Sequence, residues 1–218
     1  MKKVSKKSVV LALAIVMLVG GAASGTLAWL TSESETVTNV FTTSDINVSL
    51  DETKDEFKMI PGWTIEKDPI VTVEAGSEDC WVFLEVEEEA IVSYVPEGET
   101  MPVMFNFRDF ICYEIDENNW TELPGEDGVY CCYANDITSK RDIKVLAGGT
   151  YSTADGVDYT WEPNQVLTKP EVTKEMMNAV ADGIQPTLSF KVYATQYWKN
   201  NTEPFEVDEA WQLVQAQK

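Results

Sequence analysis

The sequence predicts an all-β fold, a jelly-roll-like β-sandwich with one or two short helices, preceded by an N-terminal signal helix. Three observations carry that reading. Past residue 36 the apolar residues recur mostly at every second position, turn residues cut the pattern into short lengths, and only two stretches switch to helical spacing. Of 218 residues, 44% are hydrophobic and 11% aromatic, enough for a packed core and too apolar for a disordered chain. The length fits a single domain over 29–218 behind a leader of 1–28.

The leader holds Lys2, Lys3, Lys6 and Lys7 and no acidic residue, then an apolar run over 9–23, then small residues to Ala28. A basic start, an apolar middle and a small-residue end form the tripartite pattern of a secretory signal. Signal peptidases take small side chains at the third and first positions before the cut, so Thr26 and Ala28 place the new terminus at Trp29. Cutting nearer Ala23 or Gly25 is an alternative. An uncleaved anchor is another, because Leu27, Trp29 and Leu30 extend the apolar stretch to about 20 residues, just enough to span a bilayer. Gly20, Gly21, Ser24 and Gly25 weaken a permanent helix there and favour cleavage. No later segment approaches spanning length, so the expected product is secreted and meets the membrane only through an uncleaved signal helix.

The elements follow in order. Over 45–50, Ile46, Val48 and Leu50 share one face of a strand. Pro61 and Gly62 suit the second and third positions of a type II turn. A strand over 68–74 is opened by Pro69, and a turn at 75–78 leads into a strand over 80–87. There Cys80, Val82, Leu84 and Val86 line one face while Trp81 and Phe83 line the other, which predicts cover on both sides. Strands are expected over 110–115, at Trp120 and Thr121, and over 129–134, 143–146 and 186–194, at least eight in all. One helix is expected over 173–181, with Thr173 as cap, Glu175 in the first turn and Gly183 as the stop. A second, over 208–216, has Asp208 as cap and an apolar face of Ala210, Trp211 and Val214.

Charge and composition exclude several functions. The net charge is -21 and the isoelectric point is near 4.2, a field that repels phosphate backbones, so no nucleic-acid partner is expected. Beyond the leader the imbalance is larger, since all 37 acidic residues lie there with only 12 basic ones. There is no histidine. Ser-His-Asp and Cys-His nucleophiles and the HExxH zinc helix are therefore absent, and no catalytic residue can be nominated. Glu85, Glu87, Glu88 and Glu89 read as a solvated strand end. The charged loop at 51–56 lacks the alternating D-x-D-x-D-G oxygen cage, so weak calcium binding is the most it offers, and no cofactor is expected.

Cys80, Cys112, Cys131 and Cys132 fit either buried thiols or one disulfide, and both readings stay open. Cys131 and Cys132 would face opposite sides of a strand, which disfavours a bridge between them. Among seven tryptophans, Trp81 and Trp211 read as core, while Trp161 and Trp198 lie in loop-like surroundings and are the candidates for stacking on a glycan. An extracellular glycan-binding or adhesion module is thus the alternative function.

Several motifs occur in a fixed order. Gly25-Thr-Leu-Ala28 comes first, then Asn39-Val-Phe41-Thr42, a strand over 46–50 ending in Asp51 and Glu52, Ile60-Pro61-Gly62, and Lys67 to Val73. Val192-Tyr-Ala-Thr-Gln196 and Glu209-Ala-Trp211 follow near the end. This order resembles the TasA/camelysin family at both ends of the chain, with the middle unmatched. The resemblance implies an exported jelly-roll protein of a Gram-positive bacterium, processed by the dedicated signal peptidase SipW and assembling with itself, or with other matrix proteins, into surface or biofilm-matrix fibres. It also implies that an N-terminal strand of one subunit completes the sheet of the next. Residues 29–41, with Val37, Asn39, Val40 and Phe41 in the assembly strand, hold that place here. Camelysin-type members carry a metallopeptidase label, which a chain without histidine gives no reason to accept.

Replacing Ala28 with Phe should close the pocket before the cut and leave most of the protein as a membrane-bound precursor. N-terminal sequencing of secreted wild-type protein should begin at Trp29. Secreted protein that retains Lys2 would contradict this reading.

Overall fold

Strand β4 (Cys80–Glu89) is ten residues long and lies inside the largest sheet, with a strand on either side. The computed structural model describes residues 45–53, 57–96, 98–182 and 185–217, all within one compact unit, Ser44–Lys218. The signal helix, the cleavage site at Thr26, Ala28 and Trp29, and the assembly strand of Val37, Asn39, Val40 and Phe41 lie outside the described residues. Within them the chain forms antiparallel strands in several small sheets, with three short helices. The fold is all-β.

The largest sheet has four strands in the order β16-β4-β10-β9, where β9 is Thr121–Glu122, β10 is Val129–Ala134 and β16 is Thr187–Gln196. All ten residues of β4 pair with β16, from Cys80 opposite Gln196 to Glu89 opposite Thr187. On its other side six residues pair with β10, from Cys80 opposite Ala134 to Glu85 opposite Val129. A second sheet has three strands, β1 (Val48–Asp51), β3 (Ile70–Val73) and β11 (Arg141–Lys144), with β3 between the other two. A third joins β2 (Thr64–Glu66), β15 (Gln165–Thr168) and β7 (Ile111–Cys112), with β15 central.

Two-stranded ribbons complete the set. These are β5 (Val92–Tyr94) with β6 (Val103–Phe105), β8 (Glu114–Ile115) with β12 (Leu146–Ala147), and β13 (Gly149–Ser152) with β14 (Asp158–Trp161). Gly62 has φ +76° and Trp63 N–H donates to Ile60 O at 3.0 Å, which is the type II turn expected from Pro61-Gly62.

The alternation in β4 fixes which side each residue faces. Cys80, Val82 and Leu84 are fully buried in one cluster with Val71 and Val73 of β3, Ile143 of β11 and Ala134 of β10, so the four-stranded sheet and the β1-β3-β11 sheet share a core. Phe83 is equally buried on the opposite face, in a second cluster with Val129, Cys131, Ala210, Trp211 and Val214. The cover over that face is the helix α3 (Val207–Gln215). Its apolar residues at 207, 210, 211 and 214 fall on one side because three- and four-residue spacings align on a helix. The Trp211 ring packs on Phe83 at 5.1 Å between centroids and on Tyr193 at 6.1 Å.

The structure departs from the sequence reading in three places. The expected strand over 110–115 is broken: Phe107–Phe110 forms a short helix, α1, and β7 and β8 flank Tyr113 and join different sheets. Phe107 and Phe110 are both buried, so three-residue spacing wins over alternation there. The last helix starts earlier, with Glu206 and not Asp208 at the N-cap position, where Glu206 N–H donates to the Glu209 carboxylate at 3.0 Å. The third departure is that strands β2, β5, β6, β13, β14 and β15 are not among those expected from sequence, since three or four residues each are too few to show alternation. The helix expected over 173–181 is present as α2 (Lys174–Asp182).

Helix α3 is tied down by packing and by one ion pair. Lys199 Nζ lies 2.6 Å from Glu209 Oε2. The Glu209 carboxyl is held below the usual glutamate value of 4.5 by Lys199 and by the Glu206 N–H, and Lys199 is held above its usual 10.5 by Glu209. A lowered acid pKa stabilises the fold above the unfolded value and ceases to as pH falls through the folded one. A raised lysine pKa contributes below its unfolded value and is lost as pH rises through the folded one. The contact is therefore complete between those limits. Trp211→Ala should cost about 3–5 kcal/mol, the range for losing a buried large aromatic, in urea unfolding. Glu209→Gln should cost much less at pH 7, and the difference from wild type should disappear as the pH is lowered below the usual glutamate value. A pH-independent difference would show that the ion pair does not hold α3.

Candidate functional site

A half-covered part of the core lies beside the two edge strands β1 and β16. β1 pairs only with β3, and β16 only with β4, among the described residues. The strands lie against each other, and each turns apolar residues toward the shared core: Val48 and Leu50 from β1, and Leu188, Phe190, Val192 and Ala194 from β16. All six are only half-buried, whereas Val82 and Leu84 on the neighbouring strand are fully buried. Beside them opens a cleft of about 740 Å³, lined by Leu50 of β1, by Leu188 and Phe190 of β16, and by Phe57, Met59 and Ile65 from neighbouring segments.

One cation sits in this apolar cleft. Lys67 is 7% exposed, and its ammonium donates to both oxygens of Glu52, at 2.7 and 3.0 Å. The Phe57 and Phe190 rings flank it, with centroids 5.3 and 5.4 Å from Nζ. A buried ammonium needs a counter-charge, and here the carboxylate and two ring faces supply it. Glu52 follows β1 and Lys67 follows β2, so the pair ties the two strands across the cleft floor. The cleft can accept an extended apolar segment, since strand edges offer backbone hydrogen bonds and half-covered side chains offer pockets. Among the described residues of its lining, none form a nucleophile and base pair.

The sequence candidates fall elsewhere. All four cysteines are free thiols, with Cys80, Cys131 and Cys132 buried and Cys112 half-buried. Burial pushes the Cys80 thiol up to about 11, with Asp79 adding to it, and the Cys132 thiol up to about 12. Burial likewise raises Cys112 and Cys131. Thiols so shifted stay protonated at neutral pH and make poor nucleophiles or metal ligands. Of the loop at 51–56, the residues 54–56 lie outside the described part, and Glu52 is taken up by Lys67. No group of three or more cysteine, aspartate or glutamate side chains is placed to hold a metal ion among the described residues.

Trp161 and Trp198 are not brought together. Trp161 is 5% exposed and lies on Gly149, where even a Cβ would come within 2.3 Å of its ring, so it has no face to offer a sugar. Trp198 is 42% exposed and stands at the end of a row of aromatic rings. Trp211 is core as expected, whereas Trp81 is only half-buried and belongs to that same row.

Sequence reasoning missed Lys67, because Glu66-Lys67-Asp68 looks like solvated charge. Its burial follows from contacts with Phe57, ten residues before it, and with Phe190, which lies far from it in sequence. No family model, no curated protein and no solved structure matches the chain.

Proposed function

We propose that this chain is an exported structural protein of the bacterial cell surface or biofilm matrix that assembles into fibres by strand donation between subunits, as its resemblance to the TasA/camelysin family implies. In this reading the four-stranded sheet and the β1-β3-β11 sheet form a jelly-roll-like sandwich, residues 1–28 direct export and are removed by a dedicated signal peptidase, and no catalysis takes place.

The observation that carries the reading is the cleft beside β1 and β16. Two strand edges without a partner among the described residues, with half-covered apolar faces, suit the addition of one more strand. The segment 29–41 is a fitting donor. Its 13 residues reach about 43 Å when extended at 3.3 Å per residue, and Val37 and Phe41 share one face with Asn39, at strand spacing. Tethered to the signal helix the segment is confined at the membrane, so cleavage acts as the switch. Donation from one subunit to the next is head-to-tail and does not close, so it gives filaments and not dimers. A net charge of -21 opposes the association of like subunits, so added salt, which shortens the Debye length to about 10 Å at 0.1 M, should speed it.

Negative-stain microscopy of protein beginning at Trp29 should show fibres that form faster as salt is raised. Deleting residues 29–41 should abolish them while leaving the thermal unfolding midpoint in place. A truncated protein that polymerises at the same rate, with the same salt dependence, would end the strand-donation reading.

A further inference from the structure

We propose that the aromatic row ending in Trp198 is a binding site for a neutral glycan. Trp198 follows β16, and its exposure alone would mean little. What sets it apart is how firmly it is held. The Trp198 backbone bridges to Pro204, Lys199 N–H donates to Glu203 O at 2.9 Å, and Phe205 N–H donates to Tyr197 O at 2.7 Å. The loop between β16 and α3 is thus closed across its base, and the pairing of Lys199 with Glu209 fastens it to the helix.

The rings continue this anchoring inward. Tyr197 meets Trp198 edge-on at 5.0 Å and leans on Tyr133 at 4.3 Å. Both tyrosines contact Trp81 at 5.7 Å, and the Trp81 indole N–H donates to Phe205 O at 3.0 Å. Trp198 is therefore fixed through three further rings to the outer face of the central sheet, yet 42% of its surface stays in water. A ring ordered beforehand gives up little freedom on binding, which is what a stacking platform requires. Trp63 is the useful contrast: it is 64% exposed but makes no ring contact among the described residues.

Polar groups stand beside the platform. The Tyr133 hydroxyl donates to Asp79 Oδ2 at 3.2 Å, Asp136 N–H donates to Asp79 Oδ1 at 3.1 Å, and Asn135 is exposed next to them. A pyranose offers a C–H face to an aromatic ring and hydroxyl groups at its edge, which carboxylate and amide groups can bind. The chain's net charge of -21 selects against an anionic polymer. The class is therefore a neutral saccharide. This site lies away from the β1–β16 cleft and does not depend on fibre formation.

The test is titration of the full chain, held in a detergent without a sugar headgroup, with the hexasaccharides of β-1,4-linked glucose and of β-1,4-linked N-acetylglucosamine. Polygalacturonate serves as the acidic control, with tryptophan fluorescence and calorimetry as readouts. At least one neutral probe should bind and the acidic one should not. Trp198→Ala should weaken binding about tenfold or more, in line with loss of a central aromatic contact, with the thermal midpoint unchanged. Trp198→Tyr should retain most of the affinity, and Trp63→Ala should change nothing. Failure of both neutral probes to bind, equal binding of polygalacturonate, wild-type affinity in Trp198→Ala, or an equal loss in Trp63→Ala would each overturn the proposal.

Discussion

The pairing of β4 with β16 on one side and β10 on the other is the constraint on which the other elements depend. β4 is flanked by strands along most of its length and covered on both faces, with Val82 and Leu84 turned to one core and Phe83 to the other. Its register decides where each attached part sits. A slip of one residue would send Phe83 into the space of Val82 and Leu84 and present a valine or leucine to Trp211, so both cores would be lost together. Burying each such side chain is worth about 1.5–3 kcal/mol, and because the set is buried jointly the register has no near competitor. Helix α3, the aromatic row at Trp198 and the cleft beside β16 all take their positions from this strand.

Among the described residues no strand hydrogen-bonds to the far edge of β16. That strand is ten residues long, and a long edge with half-covered apolar side chains is a liability in a freely soluble subunit. Charge is one restraint on uncontrolled pairing. Glu85, Glu87 and Glu89 alternate along β4, and Lys191 on β16 meets Glu87 at 2.5 Å. Strong overall negative charge adds repulsion between copies. In the proposed function the same edge is kept open because another strand is meant to fill it, and ionic strength then sets how readily two subunits approach.

Much of the fold was legible where alternation ran for six residues or more. β4, β10 and β16 were placed from sequence with ends within about two residues, and both covered faces of β4 followed from Trp81 and Phe83 lying opposite Val82 and Leu84. The small ribbons escaped notice because two to four residues cannot establish a period. The break at Tyr113 was hidden because Phe110-Ile-Cys-Tyr-Glu-Ile115 is apolar enough to pass for one strand. Sites were harder to read than strands. Trp161 and Trp198 look alike in sequence, and only the packing of Trp161 on Gly149 separates them. Lys67 became visible only once Glu52 and Phe57 from one preceding segment and Phe190 from the far end of the chain were brought around it. Local pattern carries strands, whereas burial of one charged side chain is decided by tertiary neighbours that no local pattern encodes.

The central claim is that the cleft beside β1 and β16 receives a strand from another copy of the chain. The most direct measurement is solid-state NMR on fibres grown from an equal mixture of carbon-13-labelled and nitrogen-15-labelled protein, in which transfer between the two labels reports contacts between different molecules only. Cross-peaks linking Val37, Val40 or Phe41 of one molecule to Leu188 or Phe190 of another are the expected result. Absence of those cross-peaks in the mixed fibre, with the same contacts present in fibres of uniformly double-labelled protein, or a cleft that stays empty in both, would contradict the account.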